Sequence, residues 1–165
     1  MLGKIKAHIQ HVDILIYNAG VLVNKPFVDL TDSEINQMVS VNFTSAVRLI
    51  KELIPMMSDN SHVVSISSMG GFQGSAKFPG LSIYSATKAA LAVLTECLAE
   101  ELKSSGVAFN CLALGAVNTE MFAEAFPDYQ AQISAAEMGT YIAEFALNGH
   151  KLFNGKILPV SLSTP

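Results

Sequence analysis

Short apolar runs alternate along the chain with longer segments in which apolar and polar residues are mixed. The runs cover 12–17 (V-D-I-L-I-Y), 62–67 (H-V-V-S-I-S), 107–112 (V-A-F-N-C-L) and 155–161 (G-K-I-L-P-V-S). Runs of this length, rich in Ile and Val, are typical of strands buried on both faces of a parallel sheet. The pattern therefore predicts a parallel strand at each run.

Segments with helical periodicity lie between the runs, at 31–57, about 82–103 and 134–147. The first opens with Thr31-Asp32-Ser33-Glu34, where a hydroxyl can cap the helix and a carboxylate follows close by. The second ends at Ser104-Ser105-Gly106, and a glycine there suits a helix end. Residues 119–129 are expected to form a mobile connection.

The resulting order of strands and helices has crossovers long enough to join parallel strands. We therefore predict an α/β fold with a parallel sheet, as a single domain over residues 1–165. Ligands of open α/β sheets bind beyond the carboxyl ends of the strands. The polar groups at those ends are Asn18-Ala19-Gly20, Ser67-Ser68 and 115–119, and we expect them to meet at one edge of the sheet.

Composition narrows the classes of partner. Hydrophobic residues make up 50% of the chain, charged residues 15%, and the net charge is −4, which argues against nucleic acid or an anionic membrane as the main partner. No apolar run approaches the roughly 20 residues that a membrane-spanning helix needs.

Cys97 and Cys111 show no metal-ligand spacing with each other or with the histidines, so no metal site is predicted. Each cysteine lies in an apolar run, which favours a small buried hydrophobe at both positions. A reduced protein of the cytoplasm is the expectation, since no segment resembles a signal peptide.

Candidate chemistry is concentrated in Y-S-A-T-K (84–88), at the start of the second predicted helix. A tyrosine hydroxyl ordinarily has a pKa of about 10, too high for ready proton exchange at neutral pH, and a nearby ammonium lowers it by stabilising the phenolate. Tyr84 and Lys88 are one helical turn apart, so both side chains can reach one pocket. With a serine hydroxyl beside them, they would suit hydride transfer between carbinol and carbonyl. The same spacing also suits a boundary tyrosine and a solvated lysine.

Four motifs resemble those of the short-chain dehydrogenases/reductases, in that family's order. They are N-A-G (18–20), V-N-F (41–43), S-I-S-S (65–68) and Y-S-A-T-K (84–88). The segments G-A-V-N-T-E-M (115–121) and F-N-G-K-I-L-P-V (153–160) are similar to the family's C-terminal part. The resemblance covers almost the whole chain and implies a Rossmann-like, doubly wound parallel sheet.

The resemblance also implies NAD or NADP as cofactor and gives each matching residue a role. Tyr84 would be the catalytic acid/base, Lys88 would lower its pKa and contact the nicotinamide ribose, and Ser68 would orient the substrate oxygen. Asn42 would hold a water that links the lysine to a proton relay. The residues along the cofactor would be Asn18, Ala19, Gly20, Tyr84, Lys88, Gly115, Val117 and Thr119, with Thr119 at the carboxamide.

The chain departs from the family pattern at its front. Nothing before Asn18 resembles the glycine-rich turn that places the cofactor diphosphate on a helix N-terminus. The first βαβαβ part of the family fold is therefore expected to be missing, leaving the strands equivalent to the family's fourth to seventh. Residues 12–17 would then form an exposed apolar edge that needs a covering partner.

Two further departures lie near the predicted site. Ser68 and Tyr84 are 16 positions apart, more than the family usually shows, which keeps Ser67 and Ser75 as less favoured candidates for the serine role. Leu114 stands where the family usually has a proline before Gly115, and the family's C-terminal glycine pair is absent from the last residues of the chain.

Two functions are compatible with these observations. One is an NAD(P)-dependent oxidoreductase acting on a small or hydrophobic carbonyl compound, since the pocket-forming region 119–134 is apolar. The alternative is a truncated or degenerate member that binds no cofactor and acts only as an oligomerising or interaction domain. A homo-oligomer, dimer or tetramer, is expected for both, because the family's long helices pack against a second subunit. The residues that make the later helix apolar beyond its core face are Ala90, Val93, Leu94, Cys97 and Leu98.

Overall fold

The computed structural model describes residues 7–162 and confirms the α/β fold with a parallel sheet. Its strands are β1 (Ile14–Tyr17), β2 (His62–Ser68), β3 (Ala108–Leu114), β4 (Val117–Asn118), β5 (Ile133–Ser134) and β6 (Lys156–Val160). The main sheet has the order β1-β2-β3-β6 with all neighbours parallel, while β4 and β5 pair separately. The predicted strands are all present within two residues of their expected bounds.

The helices are α1 (Asp32–Val39), α2 (Ser45–Leu53), α3 (Ser82–Glu101), α4 (Glu120–Ala125) and α5 (Ala135–Asn148). The predicted cap of the first helix is confirmed, since Thr31 and Glu34 form a capping box. Gly106 follows α3 with a left-handed φ of 71°, and a side chain there would strike Asp59. Within residues 7–162, no helix combines the length and apolarity needed to cross a membrane.

The helix predicted at 31–57 is interrupted by a π-helical segment, Ser40–Thr44. There the Ser45 N–H donates to the carbonyl of Ser40, five residues back, which frees the Val41 carbonyl. That carbonyl accepts the Ser45 hydroxyl at 2.7 Å and also the hydroxyl of Tyr17, a residue 3% exposed at the end of β1. The interruption therefore has a tertiary cause, the tyrosine that competes for a helix carbonyl.

The core has two layers because successive strand residues face opposite sides of the sheet. Val63 and Phe109 pack with Ile50 and Ala99 of the helices on one side. The opposite layer is formed by Val64, Ile66, Leu112 and Ala146. Phe109 is 1% exposed, so its burial contributes about 1.5–3 kcal/mol to folding.

Two regions add to or differ from the sequence-based expectations. The connection expected at 119–129 contains the helix α4, whose first turn is capped by the Thr119 hydroxyl accepting from the Phe122 N–H at 3.2 Å. Cys97 is not buried but exposed on the outer face of α3, whereas Cys111 is buried as expected. The apolar run around Cys97 thus places apolar residues on the outer face of α3 as well as on its inner face.

A buried polar cluster lies at the end of the sheet opposite the polar strand ends, around His62 at the start of β2. His62 is fully buried, with Nδ1 2.9 Å from the Ala146 carbonyl and Nε2 3.0 Å from the Asn110 amide nitrogen. Nδ1 therefore carries the hydrogen and Nε2 accepts one, which is the neutral ring. Burial lowers the pKa of His62 from 6.5, with the nearby His150 acting in the same direction and the Ala146 hydrogen bond opposing it.

We expect the free energy of unfolding to fall as the pH drops below about 6.5, because unfolded His62 then binds a proton that folded His62 resists. Urea unfolding at about pH 7.5 and about pH 5.5 measures this fall, well above the range in which carboxylates titrate. His62→Gln should be less stable at both pH values and should lose most of the fall. His11→Gln, at an exposed histidine, should retain it. An undiminished fall in His62→Gln would contradict the assignment.

Candidate active site

A cleft of about 1070 Å³ opens beyond the carboxyl ends of the main strands. Eight of the ten sequence-predicted site residues line it: Asn18, Gly20, Ser68, Tyr84, Lys88, Gly115, Val117 and Thr119. The other two do not. Ala19 is exposed in the loop after β1, and Asn42 is fully buried, with its amide oxygen facing Gly20. The strand ends thus converge on one edge, as the parallel pattern predicted.

Ser68 and Tyr84 come together because β2 ends where α3 begins its first turn. Ser68 is the last residue of β2, and its hydroxyl accepts the Gly70 N–H at 3.2 Å. The half-buried Tyr84 lies close enough to Ser68 for the serine side chain to lower the pKa of the tyrosine. A substrate oxygen placed between these two hydroxyls would meet two groups able to donate hydrogen bonds.

The other two serines considered for this role are engaged elsewhere. The Ser67 hydroxyl donates to the backbone carbonyl of Lys88 at 2.8 Å and is 4% exposed. The Ser75 hydroxyl donates to the carbonyl of Phe72 at 2.9 Å within its own loop. Ser68 is therefore the serine whose hydroxyl adjoins Tyr84.

Lys88 is a buried lysine, 4% exposed, and not the solvated one that the bare spacing also allowed. Its Nζ donates to the carbonyl of Ile66 at 2.9 Å and lies 5.8 Å from the centre of the Tyr84 ring. Burial lowers the pKa of Lys88 from 10.5 to about 8, while Cys111 beneath it acts in the opposite direction. The amine is thus close to changing its charge near neutral pH.

Burial also raises the pKa of Tyr84, and the nearby Ser68 side chain works against that shift. The net direction is opposite to the lowering expected from Lys88. The Nζ of Lys88 donates to the Ile66 carbonyl at 2.9 Å, and desolvation outweighs any lowering of the Tyr84 pKa by its charge. The lowering of the Tyr84 pKa by Lys88 stays a prediction.

Asn42 ties the loop after β1 to the helix of the catalytic candidates. Its Oδ1 accepts the Val21 N–H at 2.7 Å, and its Nδ2 donates to the Val21 carbonyl at 2.9 Å and to the Thr87 hydroxyl at 3.0 Å. Both amide hydrogens are therefore used within the protein, and a role of Asn42 in holding water stays a prediction. Asn42 is buried within the π-helical segment, and no local sequence pattern predicted that segment.

Close packing explains the glycines of the cleft. A side chain at Gly20 would bring its Cβ to 3.3 Å from the Lys88 Nζ, and one at Gly115 would come to 2.3 Å from the Ser161 hydroxyl. Gly115 is further fixed by its N–H, which donates to the Val160 carbonyl at 2.9 Å. The hydroxyl of Thr119 serves as the cap of α4, so its contact with a carboxamide stays a prediction.

The far wall of the cleft is apolar, as the region 119–134 suggested. Phe122 packs against Phe126 with ring centres 5.1 Å apart and against Tyr129 at 5.7 Å. The sequence did not single out Leu22, Phe78 and Leu81, which also line the cleft. They lie in loops without periodicity, so no pattern could have marked them.

The residues of the cleft fit the reactive end of a nicotinamide dinucleotide. The cleft volume of about 1070 Å³ is at the upper end of the range for small-molecule sites. Gly20 leaves open a space that a Cβ would fill, directly beside the Lys88 ammonium, and a ribose hydroxyl could reach that ammonium there.

Comparisons with known proteins agree with this geometry. The family model of the short chain dehydrogenases matches residues 1–130. The 3-oxoacyl-(acyl-carrier-protein) reductase FabG of Escherichia coli strain K12 is 33% identical over 137 residues, which cover 82% of this chain and 55% of that protein. Nodulation protein G of Azospirillum brasilense is 33% identical over 123 residues, 73% of this chain and 49% of that one.

A solved structure has the same fold. The short chain dehydrogenase of Escherichia coli CFT073, complexed with NADPH, superimposes with a TM-score of 0.84 at 23% identity, over 96% of this chain and 66% of that one. The chain belongs to the short-chain dehydrogenase/reductase family. It spans about half the length of the curated relatives it matches.

We expect Lys88→Met to raise the free energy of unfolding by about 1–3 kcal/mol at neutral pH. Folded Lys88 has a pKa of about 8 against 10.5 unfolded, so stability is lost as the pH falls from 10.5 to about 8 and the full cost is present at neutral pH. Urea unfolding at about pH 7 and about pH 10.5 would measure a gain that shrinks at the higher pH. Lys51→Met, at an exposed lysine, should change stability by less than about 0.5 kcal/mol. A loss of stability in Lys88→Met at neutral pH would contradict the prediction.

Proposed function

We propose that this chain is the catalytic part of an NAD(P)-dependent oxidoreductase that interconverts a carbonyl compound and its alcohol. The observation that supports this most directly is that Ser68, Tyr84 and the buried Lys88 line one cleft, with the Lys88 Nζ 5.8 Å from the centre of the Tyr84 ring. The relative FabG is named a 3-oxoacyl-(acyl-carrier-protein) reductase, which also supports a reductase. Residues 1–165 would form part of one such domain.

In the proposed reaction the chain handles the proton of the substrate oxygen. The Tyr84 hydroxyl donates that proton as the carbonyl is reduced and takes it back as the alcohol is oxidised, while the Ser68 hydroxyl holds the oxygen in place. The Lys88 ammonium stabilises the tyrosinate by its charge. Since this ammonium has a pKa of about 8, activity should weaken in alkali as Lys88 loses its proton.

The chemistry that a nicotinamide dinucleotide supplies when bound is the donation or acceptance of a hydride. The residues proposed to hold it are Asn18, Ala19, Gly20, Tyr84, Lys88, Gly115, Val117 and Thr119. Either NAD or NADP is compatible with this set, and the NADPH complex of a structural neighbour supports a nicotinamide cofactor in general.

The proposed substrate is a small or hydrophobic carbonyl compound. Phe122, Phe126 and Tyr129 supply an apolar wall in the cleft that Ser68 and Tyr84 also line. A reduced environment such as the cytoplasm is proposed as the location, in keeping with the free thiols of Cys97 and Cys111.

We expect Tyr84→Phe to lower turnover at least about 100-fold while cofactor affinity changes little, because only the transferable proton is removed. Cofactor binding is measured by titrating NADPH and NADH and following their fluorescence, and turnover by carbonyl-dependent NAD(P)H oxidation. Tyr141→Phe, at an exposed tyrosine of α5, is the matched control and should retain full activity. Absence of saturable binding up to millimolar cofactor would contradict the proposal and favour the interaction-domain alternative.

The proposed enzyme is a homo-oligomer that uses the outer face of α3. Val93 is 55% exposed on that helix, and Cys97 is exposed one turn later, where apolar side chains gain from burial. Val93→Lys should convert the oligomer to a smaller species in sedimentation velocity, because it would bury an unpaired charge. Leu152→Lys, at a residue 83% exposed elsewhere, should keep the wild-type mass. A wild-type chain that sediments as a monomer would contradict this proposal.

A further inference from the structure

A side-chain amide bridges two walls of the cleft that are far apart in sequence. Asn24 lies in the loop between β1 and α1, and its Nδ2 donates to the carbonyl of Ala125, the last residue of α4, at 2.9 Å. The partners are 101 positions apart along the chain. The bond thus joins the loop that follows the first polar strand end to the helix that forms the apolar wall.

The loop that carries Asn24 is itself held on two sides. The N–H of Lys25 donates to the carbonyl of Gly80 at 3.1 Å, in the loop before α3. The ammonium of Lys25 forms an ion pair with Glu34, the residue of the α1 capping box. That ion pair and the Thr31 hydrogen bonds hold the pKa of Glu34 at about 2, so its carboxylate stays charged at all ordinary pH values. The backbone next to Asn24 is therefore held in place by the two contacts of Lys25.

Gly80 makes room for the bridge. Its φ is +84°, a conformation that favours glycine, and a Cβ there would lie 2.0 Å from the Asn24 Oδ1. A larger residue at position 80 could not coexist with Asn24 in this position. The bridge consequently depends on two residues from different loops that fit each other.

The helix that Asn24 reaches has no buried residue to hold it in place. None of the residues Glu120–Ala125 is buried, and the backbone hydrogen bonds of α4 run along the helix, from Ala123 to Thr119 and from Phe126 to Phe122. Yet Met121, Phe122 and Phe126 all line the cleft. A helix with so little burial opens easily, so one hydrogen bond at its end can shift the balance noticeably.

We propose that Asn24 is a positioning residue that latches residues 119–131, the wall segment, over the mouth of the cleft. The latch holds Phe122 and its aromatic neighbours against the substrate position and so favours apolar carbonyl compounds. The effect on substrate rests on the proposed function, whereas the latch itself does not. Asn24 contacts the wall and not the reacting atoms.

Hydrogen exchange of the full chain tests the latch without any need for activity. Asn24→Ala should speed amide exchange in the wall segment roughly fivefold, about the effect of losing one exposed hydrogen bond, and leave β2 and α3 unchanged. Asn24→Asp, which keeps the shape but removes the donor, should behave alike. Asn148→Asp is the matched control, because Asn148 donates in the same way to the Glu144 carbonyl on α5. It should leave the wall segment unaffected.

A second variant breaks the latch while Asn24 itself is left unsubstituted. Gly80→Ala should displace the amide and speed exchange in the wall segment, and the double variant with Asn24→Ala should add nothing further there. Additive effects in the double variant would overturn the latch. So would unchanged exchange in the wall segment, or acceleration that spreads equally to β2.

Steady-state kinetics separates positioning from general destabilisation. Asn24→Asp should raise the KM for an apolar aldehyde or ketone roughly fivefold with kcat within about twofold, since only the substrate wall is loosened. An equal loss in kcat with unchanged KM would overturn the positioning role. If the wild type shows no turnover, the proposed function fails, while the exchange measurements still decide the latch.

Discussion

The site depends on how the end of β2 is fastened to the first turns of α3. The Ser67 hydroxyl donates to the Lys88 carbonyl, and the Lys88 ammonium donates back to the Ile66 carbonyl, at 2.8 and 2.9 Å. The loop after β2 lies so close to α3 that a Cβ on Gly71 would come to 2.6 Å from the Ala89 nitrogen. Because strand and helix are joined this tightly, Ser68 and Tyr84 have little freedom to separate.

The same contact places a positive charge where water is scarce. A carbonyl oxygen compensates the Lys88 ammonium only in part, which is why its pKa falls to about 8. Tyr84 is half-buried beside Lys88, and desolvation moves the pKa of Tyr84 upward. Desolvation thus lowers the pKa of Lys88 and raises the pKa of Tyr84, so the tyrosine keeps its proton. A phenol in that state can donate a proton to a carbonyl oxygen, the direction that reduction requires.

The fold, and the meeting of Ser68, Tyr84 and Lys88 in one cleft, could be predicted from the sequence because the signals were local. Continuous apolar runs marked the strands, Thr31 and Glu34 marked a helix start, and ordered motifs marked Ser68, Tyr84 and Lys88. The rest depends on contacts between distant residues. The π-helical segment arises because Tyr17 competes for a carbonyl 24 positions away, and the outer face of α3 cannot be told from its inner face by hydrophobicity alone. No periodicity marks an asparagine whose partner is a backbone carbonyl.

Two asparagine side chains fasten the loop after β1, one at Val21 and one at position 24, and both position it. Asn42 fixes Val21 near Gly20, on the side of the proposed cofactor, and Asn24 reaches the wall beside the proposed substrate. An amide does not ionise at any ordinary pH. The loop therefore keeps its attachments across the range in which Lys88 gains or loses its proton. Any pH dependence of the proposed reaction should then arise from the buried lysine and the tyrosine beside it, and not from loosening of the walls.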